Sequence, residues 1–386
     1  MAAELVDRSG TRYPLTDPRW RGADGGPLAL TPLPGITADQ VDRNERSLWR
    51  YAAALPEPFP AGTRVSLGEG LTPLVPLDWD GVPLLAKLEW CNPTGSFKDR
   101  GVSVMVSQLR RLGARRVLED SSGNGGSSVA AYAAAAGIAA KIIVPAATSA
   151  AKILMSRAFG AEIEPVPGTR DEVGAEAVRQ SAEIPYASHN WHPYFLQGVK
   201  TLGYELWEQL GWDAPDNVVV VAGAGSQLIG LDLAFGELLA AGAIGHRPRL
   251  FVGQPADWAT IVEAVNGVER DPGLVREPTA AEGASIANPV RLPEAVEAVR
   301  RSGGGAYAVG EAELVDAVRK ICARGLYAEP TSAVAVAALD HFIGTGAIGP
   351  DERTVLVLSG SGLKSAERMA GVFTPAGDQG GGPRRG

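Results

Sequence analysis

The chain has 386 residues, of which 45% are hydrophobic and 21% charged, and carries a formal net charge of −8. That length fits two ordinary domains or one large α/β unit, and the composition is globular, which excludes a disordered chain. The negative balance argues against nucleic acid as a partner, because phosphate binding needs a basic surface. The only cysteines, Cys91 and Cys322, stand far apart with no spacing pattern, which excludes a disulfide scaffold and a cysteine-based zinc or iron–sulfur site. The start, MAAELVDRSG, lacks the basic head and apolar run of a signal peptide, and the longest apolar stretch, 129–140, is too short to span a bilayer. The expectation is a soluble, cytoplasmic protein that uses no membrane and no metal.

Residues 1–60 are irregular, rich in Pro, Gly and Trp. From about residue 67, short β-branched runs alternate with helical patterns. Strands are predicted at 116–118, 141–144, 162–166, 217–221, 250–253, 307–309 and 354–358. Between them lie apolar residues at three and four spacing, as in Val102, Met105, Val106, Leu109 and Leu112. Solid apolar strands such as 218–221 are buried on both faces, so the fold class is α/β, with largely parallel sheets flanked by helices. Such sheets bind ligands beyond the carboxyl ends of their strands. The last dozen residues are Gly/Pro-rich and read as a disordered tail, 373–386.

Three segments carry chemistry. In LEWCNPTGSFKDRG, 88–101, Lys98 starts a helix; the chain has seven lysines against 29 arginines. A cation at a helix N-terminus opposes the dipole, which favours the neutral amine, and a neutral lysine is a nucleophile able to form a Schiff base. The bland reading is an exposed surface lysine. In RRVLEDSSGNGGSSVAAY, 115–132, a strand ends at Glu119 and a Ser/Gly/Asn turn opens a helix. Asn124 suits one oxygen of a planar ligand, and Ser121, Ser122, Ser127 and Ser128, with exposed N–H groups, suit a carboxylate; an N-cap turn explains the same letters. In VVVVAGAGSQLIG, 218–230, a buried strand runs into Ala222, Gly223, Ala224, Gly225 and Ser226. Small residues let backbone N–H groups converge at a helix start and cradle a phosphate. A dinucleotide fingerprint would need glycine at Leu228.

Taken together and in order, these motifs resemble the fold-type II pyridoxal-phosphate (PLP) enzymes, most of all the threonine synthase family. GEGLTPL (68–74), NPTGSFKDRG (92–101), SSGN (121–124), AGAGS (222–226), ASIANPV (284–290), EPTSA (329–333) and SGSGLKS (359–365) each resemble a motif of that family. The resemblance implies a two-domain, tryptophan synthase β-like fold. Its larger, PLP-phosphate-binding domain would comprise 66–91 and 205–372, and a smaller mobile domain, 92–204, would hold the lysine and the asparagine loop. It implies that Lys98, with Phe97 beside it, carries pyridoxal 5'-phosphate as a Schiff base. Asn124 would meet the cofactor's ring hydroxyl, and Ala222, Gly223, Ala224, Gly225 and Ser226 its phosphate. Ser359 would lie beside the pyridine nitrogen and leave it largely unprotonated. Ser121, Ser122, Gly123, Gly125, Lys87 and His192 would meet a small amino-acid substrate. The implied reaction is elimination or replacement at the β or γ carbon, first of all O-phosphohomoserine to threonine and phosphate, by a homodimer. Residues 1–65 resemble a zinc knuckle that has lost its cysteines, a relic packed through Tyr13 and Trp20.

The chain also departs from that family's pattern. Gly125 replaces a threonine, Thr148 a lysine (with Lys152 one turn on), and Ser361 a histidine. HNWHPYFLQG places His192 and Phe195 where the family has an Asn and an Arg. Phe for Arg removes a bidentate anion clamp. Either His192, Lys87 and another residue replace that clamp, or the leaving group differs, as in a β-replacement enzyme or a dehydratase acting on serine, threonine or O-phosphoserine. A catalytically weak PLP-binding regulatory paralogue and a nicotinamide enzyme are the rival classes.

Overall fold

The structure is a computed structural model and describes residues 3–270, 273 and 275–373. Its centre is a six-stranded sheet in the order Gly305–Val309, Arg249–Pro255, Asn217–Val221, Thr354–Leu358, Val82–Leu88, Leu74–Trp79. All neighbours are parallel except the last pair, an antiparallel hairpin at the edge. The central strands are solid Val and Leu because helices cover both faces: Asn217–Val221 and Thr354–Leu358 are buried throughout. A second sheet, Arg116–Glu119, Ala139–Pro145, Glu162–Val166, is fully parallel. Segment 185–187 continues it alongside Arg116–Glu119, through a Leu118–Tyr186 bridge and the Ala187 N–H to Leu118 carbonyl bond.

Each of the seven predicted strands is present, lengthened by at most a few residues. The edge hairpin was not predicted. Pro76 and Pro83 break its strand pattern, yet Pro76 lies in the edge strand Leu74–Trp79, and Pro83 precedes the part of Val82–Leu88 that pairs with Thr354–Leu358. Its two-residue turn, Asp80–Gly81, has both φ values positive, the geometry that closes tight hairpins. The tail expected from residue 373 starts no earlier than 374, because Phe373 ends the helix Ala366–Phe373; residues 374–386 lie outside the described part. Among the described residues no helix is long and apolar enough to cross a membrane.

The N-terminal segment forms a small antiparallel sheet of Leu5–Val6, Arg12–Tyr13 and Ala29–Leu30. Asp7 organises its turn. One carboxylate oxygen accepts from the Ser9 hydroxyl (2.6 Å), Thr11 N–H (2.9 Å) and Ser9 N–H (3.1 Å), and the other from the Tyr13 hydroxyl (2.6 Å). The bonds from Ser9 and Tyr13 hold this carboxyl down to about 2. The segment straddles both sheets. Trp20 meets Tyr186 and Trp191 edge-on at 5.1 Å, while Arg291, at the start of the helix Leu292–Ser302, donates to the Leu28 carbonyl at 2.8 Å.

What fixes the lysine helix, Lys98–Arg111, is a buried cluster of two cations and two carboxylates. Arg100 pairs with Glu89 (2.7 Å) and Glu205 (2.9 Å), and Lys87 with Glu205 (2.5 Å), all four side chains being fully buried. Burial pushes the Glu205 carboxyl up, but Arg100 and Lys87 outweigh it and hold it below the ordinary range. Glu205→Gln leaves two buried cations facing one carboxylate. Breaking a buried pair from one side costs about 3–5 kcal/mol, so this variant is expected to unfold at clearly lower urea concentration than the parent, with an unchanged slope.

Candidate active site

The motif around Lys98 is built residue by residue. Asn92 accepts the Gly70 N–H through Oδ1 (3.0 Å) and donates to the Glu89 carbonyl (2.7 Å), tying the 68–74 loop to the strand end. Asp99 accepts from the Thr94 N–H and hydroxyl and from the Ser128 hydroxyl, each at 2.6 Å, which shapes the 94–98 turn. The Phe97 N–H donates to the Ser359 carbonyl (3.0 Å), and Ser96 bridges Gly360. The lysine turn is thus held at the carboxyl end of Thr354–Leu358.

Among the described residues Lys98 has no ionic partner. Its Nζ sits 4.6 Å from the Phe97 ring centre and 5.5 Å from that of Phe195, and it donates no hydrogen bond to any described residue. Burial lowers the amine to about 8, against the pull of Glu119, with Arg170 adding to the fall and Glu329 opposing it. A neutral amine is therefore accessible near neutral pH.

One strand away in the same sheet, Asn217–Val221 runs into the loop 222–226. Gly225 has φ +86, and a Cβ there would lie 2.7 Å from that of Ala295, so only glycine makes the turn. The N–H groups of Gly223, Ala224, Gly225 and Ser226 find no acceptor among the described residues. They open the 15-residue helix Ser226–Ala240, whose N-terminal potential attracts an anion. Ser359, the residue after Leu358, has its hydroxyl 2.9 Å from that of Ser332.

From the other sheet, Arg116–Glu119 leads into the Ser/Gly/Asn loop. Asn124 begins the helix Asn124–Ala136, and its amide donates to both oxygens of Glu329 (3.1 and 3.3 Å). Burial pushes the Glu329 carboxyl up, against Lys364 and Asn124. Ser121 is buried, Ser122 half-buried and Gly123 exposed at the mouth of this loop. Gly125 is glycine for a steric reason: a Cβ would stand 2.7 Å from Nδ1 of His189.

Two expectations fail on geometry. Lys87 does not reach the cleft, because its three donors are taken by the Thr72 carbonyl (2.7 Å), Glu205 (2.5 Å) and Gln209 (2.7 Å). His192 caps the helix Pro193–Val199, accepting the Tyr194 N–H at 3.3 Å. It lines a small cavity with Leu5, Leu15 and Gln108 beneath the N-terminal segment, and burial lowers its imidazole to about 3. His189, three residues earlier, is the histidine near Lys98. Its Nδ1 lies 2.5 Å from Oε1 of Glu119. Sequence reading passed over Glu119 although it ends a parallel strand, the position where ligand-facing residues are expected. Lys152 is committed to Glu282 (2.6 Å). Cys91, next to the lysine motif, is exposed.

The unfilled N–H cradle, the free amine and the serine at the neighbouring strand end form a donor set that fits a phosphorylated aldehyde. Residues 65–360 match the model of the family described as "Pyridoxal-phosphate dependent enzyme". The chain belongs to that family. It is 35% identical to a threonine synthase of Methanocaldococcus jannaschii, over 86% of this chain and 84% of the relative. It is 34% identical to a threonine synthase of Methanosarcina acetivorans, over 84% and 82%. Among solved structures it resembles the processed form of threonine deaminase isoform 2 from Solanum lycopersicum (TM-score 0.66, 23% identity, 79% of this chain and 88% of that one). It also resembles maize serine racemase (TM-score 0.63, 22% identity, 75% and 88%). This PLP-dependent enzyme has the fold-type II architecture, and the nicotinamide alternative falls away.

Since the neutral amine is the nucleophile, capture of pyridoxal 5'-phosphate by the cofactor-free protein is expected to speed up as pH rises through about 8 and to level off above it. Lys98→Ala should take up no borohydride-fixable label. A label of unchanged stoichiometry in that variant would show another lysine to be the attachment point.

Proposed function

We propose that the chain is a carbon–oxygen lyase: with PLP bound, it breaks a C–O bond at the β or γ carbon of a small amino acid. The observation that carries this is the unpaired Lys98 amine, held between Phe97 and Phe195 beside the asparagine loop. Lys98 would hold the cofactor, the 222–226 loop its phosphate, and Ser359 its ring nitrogen. The bound cofactor supplies a sink for the electron pair left when Cα loses its proton. The chain's part is to move protons. An amine lowered to about 8 is basic enough to take the Cα proton without being permanently protonated. Ser121, Ser122 and the N–H groups of the 121–125 loop suit the substrate carboxylate.

The likeness to threonine synthases supports O-phosphohomoserine, converted to threonine and phosphate, as the first substrate. A second reading, serine or threonine losing water, is favoured by the wall facing Lys98. It is built from Phe195, neutral His189 and Glu119 rather than from paired arginines. The holoenzyme should be given O-phosphohomoserine, O-phosphoserine, serine and threonine in parallel, with phosphate, threonine, ammonia and 2-oxo acid followed. Threonine with stoichiometric phosphate supports the first reading, and ammonia with 2-oxo acid from an unphosphorylated amino acid the second. Turnover of none of the four discards the lyase assignment.

A further inference from the structure

The end of the strand Arg116–Glu119 holds a group that the lyase reading leaves unused. Glu119 is fully buried. Its Oε1 meets Nδ1 of His189 at 2.5 Å, and its Oε2 has no hydrogen-bond partner among the described residues. A buried carboxyl oxygen without a partner is costly, so its absence of partners points to a ligand that supplies one. The surroundings place this carboxyl within reach of the Lys98 charge. Lys98 is the strongest charge acting on Glu119, and Phe195 contacts both Lys98 (5.5 Å) and the His189 ring (5.9 Å). Gly125 leaves the room that His189 occupies.

Resting on the lyase reading, we propose that Glu119 is the acid that protonates the departing oxygen, so that the substrate is a small amino acid with a free hydroxyl and not a phosphate ester. Phosphate leaves as a stable anion and needs no proton, whereas hydroxide leaves only once protonated. Burial holds the Glu119 carboxyl up to about 8, against Lys98, His189 and Arg170. Burial and the Lys98 charge keep His189 well below its ordinary range, hence neutral. With Nδ1–H donating to Oε1, the acid proton rests on Oε2, the oxygen without a partner. The other charged groups on this side are Asp120, which accepts the Tyr186 hydroxyl at 2.8 Å, and Arg170, exposed at the start of the helix Arg170–Gln180.

The Lys98 amine takes the Cα proton, and the freed electron pair forms the Cα–Cβ double bond as the Cβ–O bond breaks. The oxygen keeps the pair of that bond, takes the proton of Oε2 and leaves as water. Solvent returns a proton to Glu119. The unsaturated amine then hydrolyses to a 2-oxo acid and ammonia.

The test compares leaving groups. Wild-type and Glu119→Gln holoenzymes are given L-serine, L-threonine and β-chloro-L-alanine, whose chloride departs without a proton. General acid catalysis contributes about 10²–10⁴-fold. The variant should lose about a hundredfold or more with the hydroxy amino acids and hold its rate with the chloro compound. Equal losses on both would make Glu119 structural and overturn the proposal. In the wild type, the rate with serine or threonine should fall as pH rises above about 8, while that with β-chloroalanine should not. Coincident profiles overturn the proposal without any variant. In the cofactor-free protein the infrared carboxyl band missing from E119Q should titrate near pH 8; titration in the ordinary carboxylate range overturns it. Faster release of phosphate from O-phosphohomoserine, untouched by E119Q and reduced by R170Q, also overturns it while leaving the lyase reading intact. A wild type inert even to β-chloroalanine removes the reading beneath it.

Discussion

The orientation of the helix that begins at Lys98 depends on the pairing of Arg100 with Glu89 and Glu205 in the protein interior. Two cations, Arg100 and Lys87, and two carboxylates, Glu89 and Glu205, sum to zero charge inside a volume that excludes water. Their desolvation is unfavourable in isolation and tolerable only because each charge finds its partners. The geometry they require is strict. Arg100 offers two edges of one guanidinium to carboxylates from a strand end and from the helix Thr201–Gln209. That fixes the rotation of the helix Lys98–Arg111 about its axis. Lys98, two residues earlier, is turned away from the cluster, and Asp99, between them, is taken by Thr94 and Ser128. The same network that satisfies its neighbours leaves Lys98 as the free amine.

The two charge sets obey opposite rules in comparable burial. In the cluster, close ion pairs overcome desolvation and Glu205 stays ionised. In the cleft, Lys98 and Glu119 feel each other's charge but share no hydrogen bond, so burial wins: the amine falls to about 8 and the carboxyl rises to about 8. Groups whose proton affinities converge in this way exchange protons at little cost, which is what a site moving protons at adjacent carbons needs. Structural and chemical roles are thus separated by contact distance rather than by residue type, and Glu205 and Glu119 illustrate the two outcomes.

The N-terminal segment shows another route to a fixed turn. Asp7 gathers two N–H groups and two hydroxyls around one carboxylate. The segment reaches the three-stranded parallel sheet through Trp20 and the six-stranded sheet through Leu28 and Arg291. Its irregular composition hid this sheet, whose strands are each only two residues long. At that length no alternation develops, and hydrogen bonds across the turn do the work of periodicity.

From the amino-acid order alone the parallel strands, the lysine helix, the asparagine turn and the small-residue loop were all readable. Each is a local pattern: apolar runs of strand length, apolar residues at helical spacing, small residues where a chain must turn sharply. PLP chemistry was implied by the resemblance of those motifs, in that order, to the fold-type II enzymes. Which polar groups meet was not readable, because contact across a cleft depends on the rotation of helices and the layering of sheets. Lys87 and His192 carried the right chemistry and point elsewhere, one into an ion cluster and the other beneath the N-terminal sheet. Glu119 and His189, 70 residues apart, became a pair only when segment 185–187 aligned beside the strand Arg116–Glu119. No spacing along the chain encodes that alignment; backbone pairing in the folded sheet creates it.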